Sequence, residues 1–184
     1  MFQRSGRKQD DNTSVEGQTR ENSMTDVREP ALLTIFAPVS GDVVPIENVD
    51  DPVFAQTMVG NGLAINPETA TVVAPVSGTL TNVFPTGHAV GITTPEGMEV
   101  LVHVGLDTVE LKGEGFQRLV TEGGTVKVGD PLLQLDLKTL RNKARSLVTP
   151  VIVTNMDKVE HMEKTAKNRV TAASDWLVRV QLRP

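Results

Sequence analysis

Ala-Pro-Val-Ser-Gly occurs twice in this chain, inside Thr34–Gly41 (TIFAPVSG) and Thr71–Gly78 (TVVAPVSG), 37 residues apart. Two copies are too few for a solenoid, which needs at least about three repeats to bury a continuous core. In each copy an apolar run reaches proline, then Ser-Gly, then a second apolar run. Proline cannot donate to a sheet ladder, and Ser-Gly suits a tight turn. The same strand–corner–strand unit used twice predicts a sheet assembled from two related halves.

The rest of the chain from Ala31 onward has the texture this requires. Short apolar runs such as TVVAPVSGTLTNVF, HAVGITTPEGMEVLVHVG and LVTPVIVTN are broken by Gly, Pro, Ser or Asn every several residues. That pattern indicates an all-β fold, an antiparallel sandwich or barrel with a duplicated half-motif. Aromatic residues are only 3% and tyrosine is absent, so the core must be aliphatic. WLVRVQL places Trp176, Val178, Val180 and Leu182 on one face and Leu177, Arg179 and Gln181 on the other, a half-exposed strand. One or two short helices are expected. DPVFAQTMV has Val53, Phe54 and Met58 at helical spacing, with Asp50 or Asp51 as cap. DLKTLRNKARSL has Asp136 as cap and basic residues late, which suits the helix dipole. GGTVKVGDPLLQLD has the turn rhythm of lipoyl and biotinyl carrier domains. It lacks a modifiable lysine in a Met-Lys-Met or Asp-Lys-Ala turn, which disfavours a swinging arm.

Residues 1–29 are almost wholly polar and show no sustained apolar period, so they are read as a disordered leader or linker before a domain spanning 30–184. Met24 is an alternative start. The formal net charge of −5 disfavours nucleic acid as a partner. The absence of cysteine removes disulfides, zinc ribbons and thiol catalysis and fits a reducing compartment. No apolar run reaches the ~20 residues of a membrane helix, and no signal-peptide core is present. The expectation is a soluble cytoplasmic protein.

Only three histidines occur. His161 lies in a charged stretch and reads as a surface residue. His88 and His103 flank Thr-Thr-Pro-Glu-Gly, a strong turn signal. A turn centred between Pro95 and Glu96 sets Thr93 against Met98 and His88 directly against His103. Opposed Cβ atoms are about 4.5–5.5 Å apart, so the two imidazoles can meet. A metal site would need at least one more ligand; Asp107 is near in sequence, but neither His-X-His nor His-Glu-X-X-His is present. Nucleophilic catalysis is the other reading, since a neutral imidazole is nucleophilic near neutral pH. Spacing alone leaves both open.

TGHAVGI, VLVHVGLDTVELKGEGF and APVSG…PVFAQTMVGNGLAI together resemble the glucose-family IIA proteins of the bacterial phosphotransferase system, from about Ile35 to Asn155. The His103–Phe116 stretch is the most specific, with His, Gly, Asp-Thr-Val and Gly-Glu-Gly-Phe in family order. The resemblance implies an antiparallel β-sandwich with a duplicated hybrid motif. It also implies a phosphocarrier: the small protein HPr donates a phosphoryl group to His103, which passes it to a cysteine on the IIB domain of a sugar permease. His88 then stabilises the phosphoryl group, Thr86 helps hold the histidine network, and Asp107 supports the active histidine. Val53, Phe54, Met58, Phe84 and Leu101 correspond to the partner-binding depression. The implied protein is a cytoplasmic monomer, transiently at the inner face of the membrane through the permease, with further permeases or kinases as regulated partners. No intrinsic metal or cofactor is implied, but His88 and His103 could share zinc at a partner interface.

Leu101 stands where the family typically has Phe, Met58 replaces Ile, Gly87 replaces Asn and Val90 replaces Phe. These changes soften the aromatic rim. A zinc peptidase of the lysostaphin-like kind is the contrasting reading. It needs His-X3-Asp and His-X-His, and only the first is present, at His103 and Asp107.

Overall fold

The computed structural model describes residues 32–184. The leader at 1–29 and the domain start at residue 30 lie outside the described residues. Fourteen strands and two short helices follow one another: β1 (Leu32–Phe36), β2 (Gly41–Pro45), α1 (Pro52–Ala55), β3 (Asn61–Pro67), β4 (Thr71–Val73), β5 (Gly78–Val83), β6 (Ala89–Thr93) and β7 (Glu99–His103). Then come β8 (Phe116–Arg118), β9 (Thr125–Val126), β10 (Pro131–Leu135), α2 (Leu137–Lys143), β11 (Thr149–Val153), β12 (Val159–Lys164), β13 (Arg169–Val170) and β14 (Trp176–Leu182). Every strand pairing is antiparallel, as the apolar texture predicts.

The Ala-Pro-Val-Ser-Gly repeat is a structural duplication. The large sheet has the order β13-β2-β3-β11-β7-β6-β5-β9, which reads the same from either end once β13 is matched to β9, β2 to β5, β3 to β6 and β11 to β7. The small sheets β1-β14-β12 and β4-β10-β8 match in the same way. The two copies of the repeat hydrogen-bond each other across this two-fold: Phe36 N donates to Pro75 O and Val73 N to Pro38 O, both at 2.9 Å. Their serines do the same work. Ser40 Oγ accepts from Ala172 N (3.0 Å) and Ser77 Oγ from Val128 N (3.1 Å). Their glycines are equally constrained, because a Cβ on Gly41 would lie 2.0 Å from Asn66 O and one on Gly78 would lie 2.3 Å from Thr93 O. Each corner therefore needs its proline to leave the ladder, its serine to cap a neighbouring loop and its glycine to let two backbones touch.

One aliphatic core holds both halves. Ile35, Ile65, Val72, Leu80, Ile92, Val102, Leu132, Leu133 and Val180 in it are essentially inaccessible to water. Burial at about 25 cal/mol per Å² of apolar surface drives this assembly without large aromatic side chains. A second, smaller cluster of Ile46, Val49, Phe54, Ala64, Leu106 and Ile152 lies apart from it. Strand alternation divides the two: Val100, Val102, Val151 and Val153 join the main core, whereas Leu101 and Ile152 join the smaller cluster.

Two local expectations change. β14 alternates as expected from Val178 to Leu182, with Arg179 and Gln181 partly exposed, but at its start Leu177 is fully buried in the main core and Trp176 is only partly buried. The first helix is far shorter than the DPVFAQTMV pattern suggests. Asp51 caps it, Oδ1 accepting from Val53 N at 2.8 Å, but Thr57 takes a left-handed conformation (φ 53°) and ends it. The second helix forms as expected, with Asp136 Oδ1 accepting from Thr139 N at 3.0 Å.

Candidate functional site

Both histidines sit at the open end of the β6–β7 hairpin, but not in the expected register. Ala89, not His88, is opposite His103. The shift comes from the turn. Gly97 is left-handed (φ 87°), and Thr94 N donates to Met98 O at 2.9 Å. Pro95, Glu96 and Gly97 thus form a three-residue loop, where a two-residue turn was expected. His88 precedes the strand, and its carbonyl accepts from Val104 N at 2.7 Å. Strict alternation from Ala89 would aim His88 at the opposite face. The chain bends at Gly87 and His88, with Gly87 left-handed (φ 72°), and the rings meet anyway. Their centroids are 5.0 Å apart, edge to face at 75°.

Each ring is held at Nδ1. His103 Nδ1 is 2.9 Å from Gly105 O. A carbonyl can only accept, so Nδ1 carries the hydrogen and Nε2 keeps a lone pair. Gly105 is required there: it is left-handed (φ 75°), and a Cβ would meet Thr108 Cγ2 at 2.6 Å and Ser146 O at 2.7 Å. The buried Thr108 hydroxyl donates to Val104 O at 2.6 Å and fixes the same turn. His88 Nδ1 lies 2.5 Å from Thr86 Oγ1. Thr86 thus contacts the His88 ring directly.

Both imidazoles are neutral at neutral pH. Burial, and secondarily the neighbouring His103, pushes His88 down to about 4. Burial also pushes His103 below its ordinary value, against the opposing pull of the Gly105 carbonyl and the Asp51 and Asp107 carboxylates. Two neutral rings in contact, one with a free Nε2, form a nucleophile with a neighbour able to hydrogen-bond its adduct.

The expected surroundings are assembled at different depths. The Phe54 ring lies 5.2 Å from His103 and the Phe84 ring 5.1 Å from His88. Phe54 is buried and forms a wall against His103, whereas Val53, Met58 and Phe84 are exposed. Leu101 is half-buried against the smaller cluster and lies beneath the rim. Val59 and Val109, not singled out from sequence, add exposed apolar surface, and Val109 lies in the Asp-Thr-Val motif itself. Asp107 is near but does not orient His103. It is left-handed (φ 58°), and its Oδ2 pairs with Arg145 Nε at 3.2 Å, so the orienting contact is the Gly105 carbonyl. Asp51 entered the sequence argument only as a helix cap, yet it is one of the two carboxylates acting on His103. Spacing gave no signal for Arg145. Among the described residues, no group of three or more His, Cys, Asp or Glu side chains is placed to hold a metal, and no helix is long and apolar enough to cross a membrane.

Residues 33–159 match the family model of the phosphoenolpyruvate-dependent sugar phosphotransferase system, EIIA 1. The chain belongs to this family. A glucose-specific EIIA component from Halalkalibacterium halodurans is 48% identical over 162 residues, covering 88% of this chain and 94% of the relative. A protein of the same name from Staphylococcus epidermidis is 50% identical over 133 residues, covering 71% and 80%. The solved glucose permease IIA from Mycoplasma capricolum superposes with a TM-score of 0.77 at 40% identity, over 81% of this chain and 96% of that one. Membership makes the protein a phosphocarrier component of a sugar phosphotransferase system, built on the β-sandwich that its repeat and texture indicate.

Proposed function

We propose that His103 is the residue that carries the phosphoryl group. The observation that supports this best is the Nδ1–H···O=C bond to Gly105, which leaves Nε2 unprotonated beside His88. Nε2 attacks the phosphorus of a phosphohistidine on HPr. The new N–P bond forms as the old one breaks, and its electron pair returns to the donor imidazole. Charge develops on the three equatorial oxygens, so catalysis is chiefly positioning and electrostatic stabilisation. His88 supplies the stabilisation: with Thr86 donating its hydroxyl hydrogen to Nδ1, Nε2–H of His88 faces the phosphoryl oxygens. A thiolate on the IIB domain then attacks the same phosphorus, and His103 leaves as neutral imidazole.

Val53, Met58 and Phe84 are exposed, and Phe84 packs against His88; we infer that they form the rim around the histidines. Such a shallow apolar rim excludes water from the adduct and admits first HPr and then IIB. The relatives bear glucose-specific names, so a glucose permease is the acceptor to try first. The carrier acts as a cytoplasmic monomer that meets the membrane only through the permease. Phosphorylation adds negative charge at the rim, so regulated permeases or kinases docking there would read its state. His88 and His103 could share zinc in such a complex only if the partner supplies the remaining ligands.

Intact mass after incubation with phosphoenolpyruvate, enzyme I and HPr tests this. The wild type gains one acid-labile phosphoryl group, His103→Ala gains none, and His88→Ala is labelled but does not discharge to IIB. Labelling of His103→Ala would overturn the assignment.

A further inference from the structure

Arg145 has no place in the chemistry described so far, yet it touches both loops that flank His103. Its Nε pairs with Asp107 Oδ2 at 3.2 Å, and a terminal guanidinium nitrogen donates to the main-chain carbonyl of Asp50. Asp50 precedes Asp51, the cap of the helix whose Phe54 packs on the His103 ring. Asp107 follows the Gly105 turn that orients that ring. The backbone places Arg145 here: its neighbour Ser146 forms a β-bridge with Leu106, whose N–H donates to Ser146 O at 2.9 Å. The ion pair is thus anchored beside an isolated β-bridge.

The charges around His103 give this pair a consequence. The charged and titratable groups facing the ring are Asp51 from the helix cap, Asp107 from its own loop and His88 from the neighbouring turn, with Arg145 against Asp107. A phosphoryl group on Nε2 brings roughly two negative charges to a place that already has two carboxylates. One cation within contact of one of them leaves, among the described residues, a single carboxylate without a paired cation.

We propose that Arg145 is a positioning residue for phosphoryl acceptance, which ties the Asp50 and Asp107 loops around His103 and cancels the Asp107 charge where the phosphoryl dianion arrives. This rests on His103 being the acceptor. The arginine does not touch the phosphoryl group; it sets how favourable the adduct is relative to phospho-HPr.

The test equilibrates the protein with a fixed ratio of phospho-HPr to HPr and reads the phosphorylated fraction by intact mass. Arg145→Met and Arg145→Gln should lower the ratio of phosphorylated to free protein by about three- to fivefold, the range of a part-exposed ion pair. Arg145→Lys should lose less than either neutral variant, since it keeps the charge beside Asp107 but not the second contact to the Asp50 carbonyl. Arg145→Met combined with Asp107→Asn should lose less than Arg145→Met alone, because the carboxylate that needed cancelling is gone. NMR titration of His103 is the second readout: its midpoint should rise in Arg145→Met and fall back in the double variant. An unchanged equilibrium in both neutral variants would overturn the proposal. A double variant as poor as the single would reduce Arg145 to a mechanical strap. If wild type took up no phosphoryl group, the His103 assignment would fail instead. An Arg145-independent His103 midpoint would then reject the charge coupling on its own.

Discussion

Asn61 and Ile152 occupy in one half of the molecule the places that His88 and His103 occupy in the other. The correspondence follows from the glycine corners, where Ile65 matches Ile92, and from the ladders, where Ile65 pairs with Thr149 and Ile92 with Val100. Counting along the strands then sets Asn61 on His88 and Ile152 on His103. The two ends meet different fates. Ile152 is fully buried beneath Ile46, Val49 and Phe54, whereas His103 is half-exposed and His88 touches it from a bend. The segment carrying α1 covers the apolar end with one side of Phe54 and walls the histidine end with the other. Duplication supplies a scaffold with two equivalent strand ends; chemistry occupies the one that is left open.

The sharpest way to break this comparison is to truncate both matched residues. His103→Ala should abolish phosphoryl uptake with little loss of stability, and Ile152→Ala should cost about 2–5 kcal/mol while the folded fraction still takes up phosphate. Urea denaturation beside the mass assay reads both, and a stability loss in His103→Ala equal to that in Ile152→Ala would deny the difference between the ends. Next in size are the corners. Gly41→Ala and Gly78→Ala each drive a Cβ into a carbonyl oxygen and should destabilise by similar amounts, at least about 1–3 kcal/mol. Unequal thermal shifts would mean that the two corners have diverged.

Between about pH 7 and 4, acid should act through the histidine end. In the unfolded chain His88 titrates near 6.5, and in the fold at about 4. Between these values the unfolded chain holds more protons, so stability falls as pH drops through that window and is full above it. His88→Gln should flatten this slope in denaturation curves taken from pH 7 to 4. The smallest effect belongs to Thr86→Val, which removes the partner of His88 Nδ1 and should cost about 1 kcal/mol. A fall in onward phosphoryl transfer larger than the fall in uptake would tie Thr86 to His88 specifically.

Much of this was legible from the chain itself. The repeated Ala-Pro-Val-Ser-Gly carried the two-fold, since its proline, serine and glycine each have a fixed structural job. His88 and His103 were legible because a short hairpin and a strong turn signal bring them together locally, whereas Thr86 was marked only by the family resemblance. The register was not, because Pro-Glu-Gly permits a two- or three-residue loop and only the left-handed Gly97 decides between them. The meeting of the rings survived that error because the bend at Gly87 and His88 offsets it. The carboxylate of Asp51, the Gly105 carbonyl and Arg145 were hidden for a different reason. Asp51 and Arg145 reach the site through the packing of distant segments, and a backbone oxygen leaves no mark in a side-chain pattern.

Both histidines belong to one continuous stretch of chain, the β6–β7 hairpin with its preceding bend, while Phe54 comes from the opposite half. The distance between the two imidazole rings is thus internal to a single hairpin and its bend. A sliding or breathing motion between the halves would move the wall and leave the pair intact. Access to the nitrogens and alignment of the nitrogens are mechanically separate properties, so a docking partner can displace the rim without disturbing the geometry on which transfer depends.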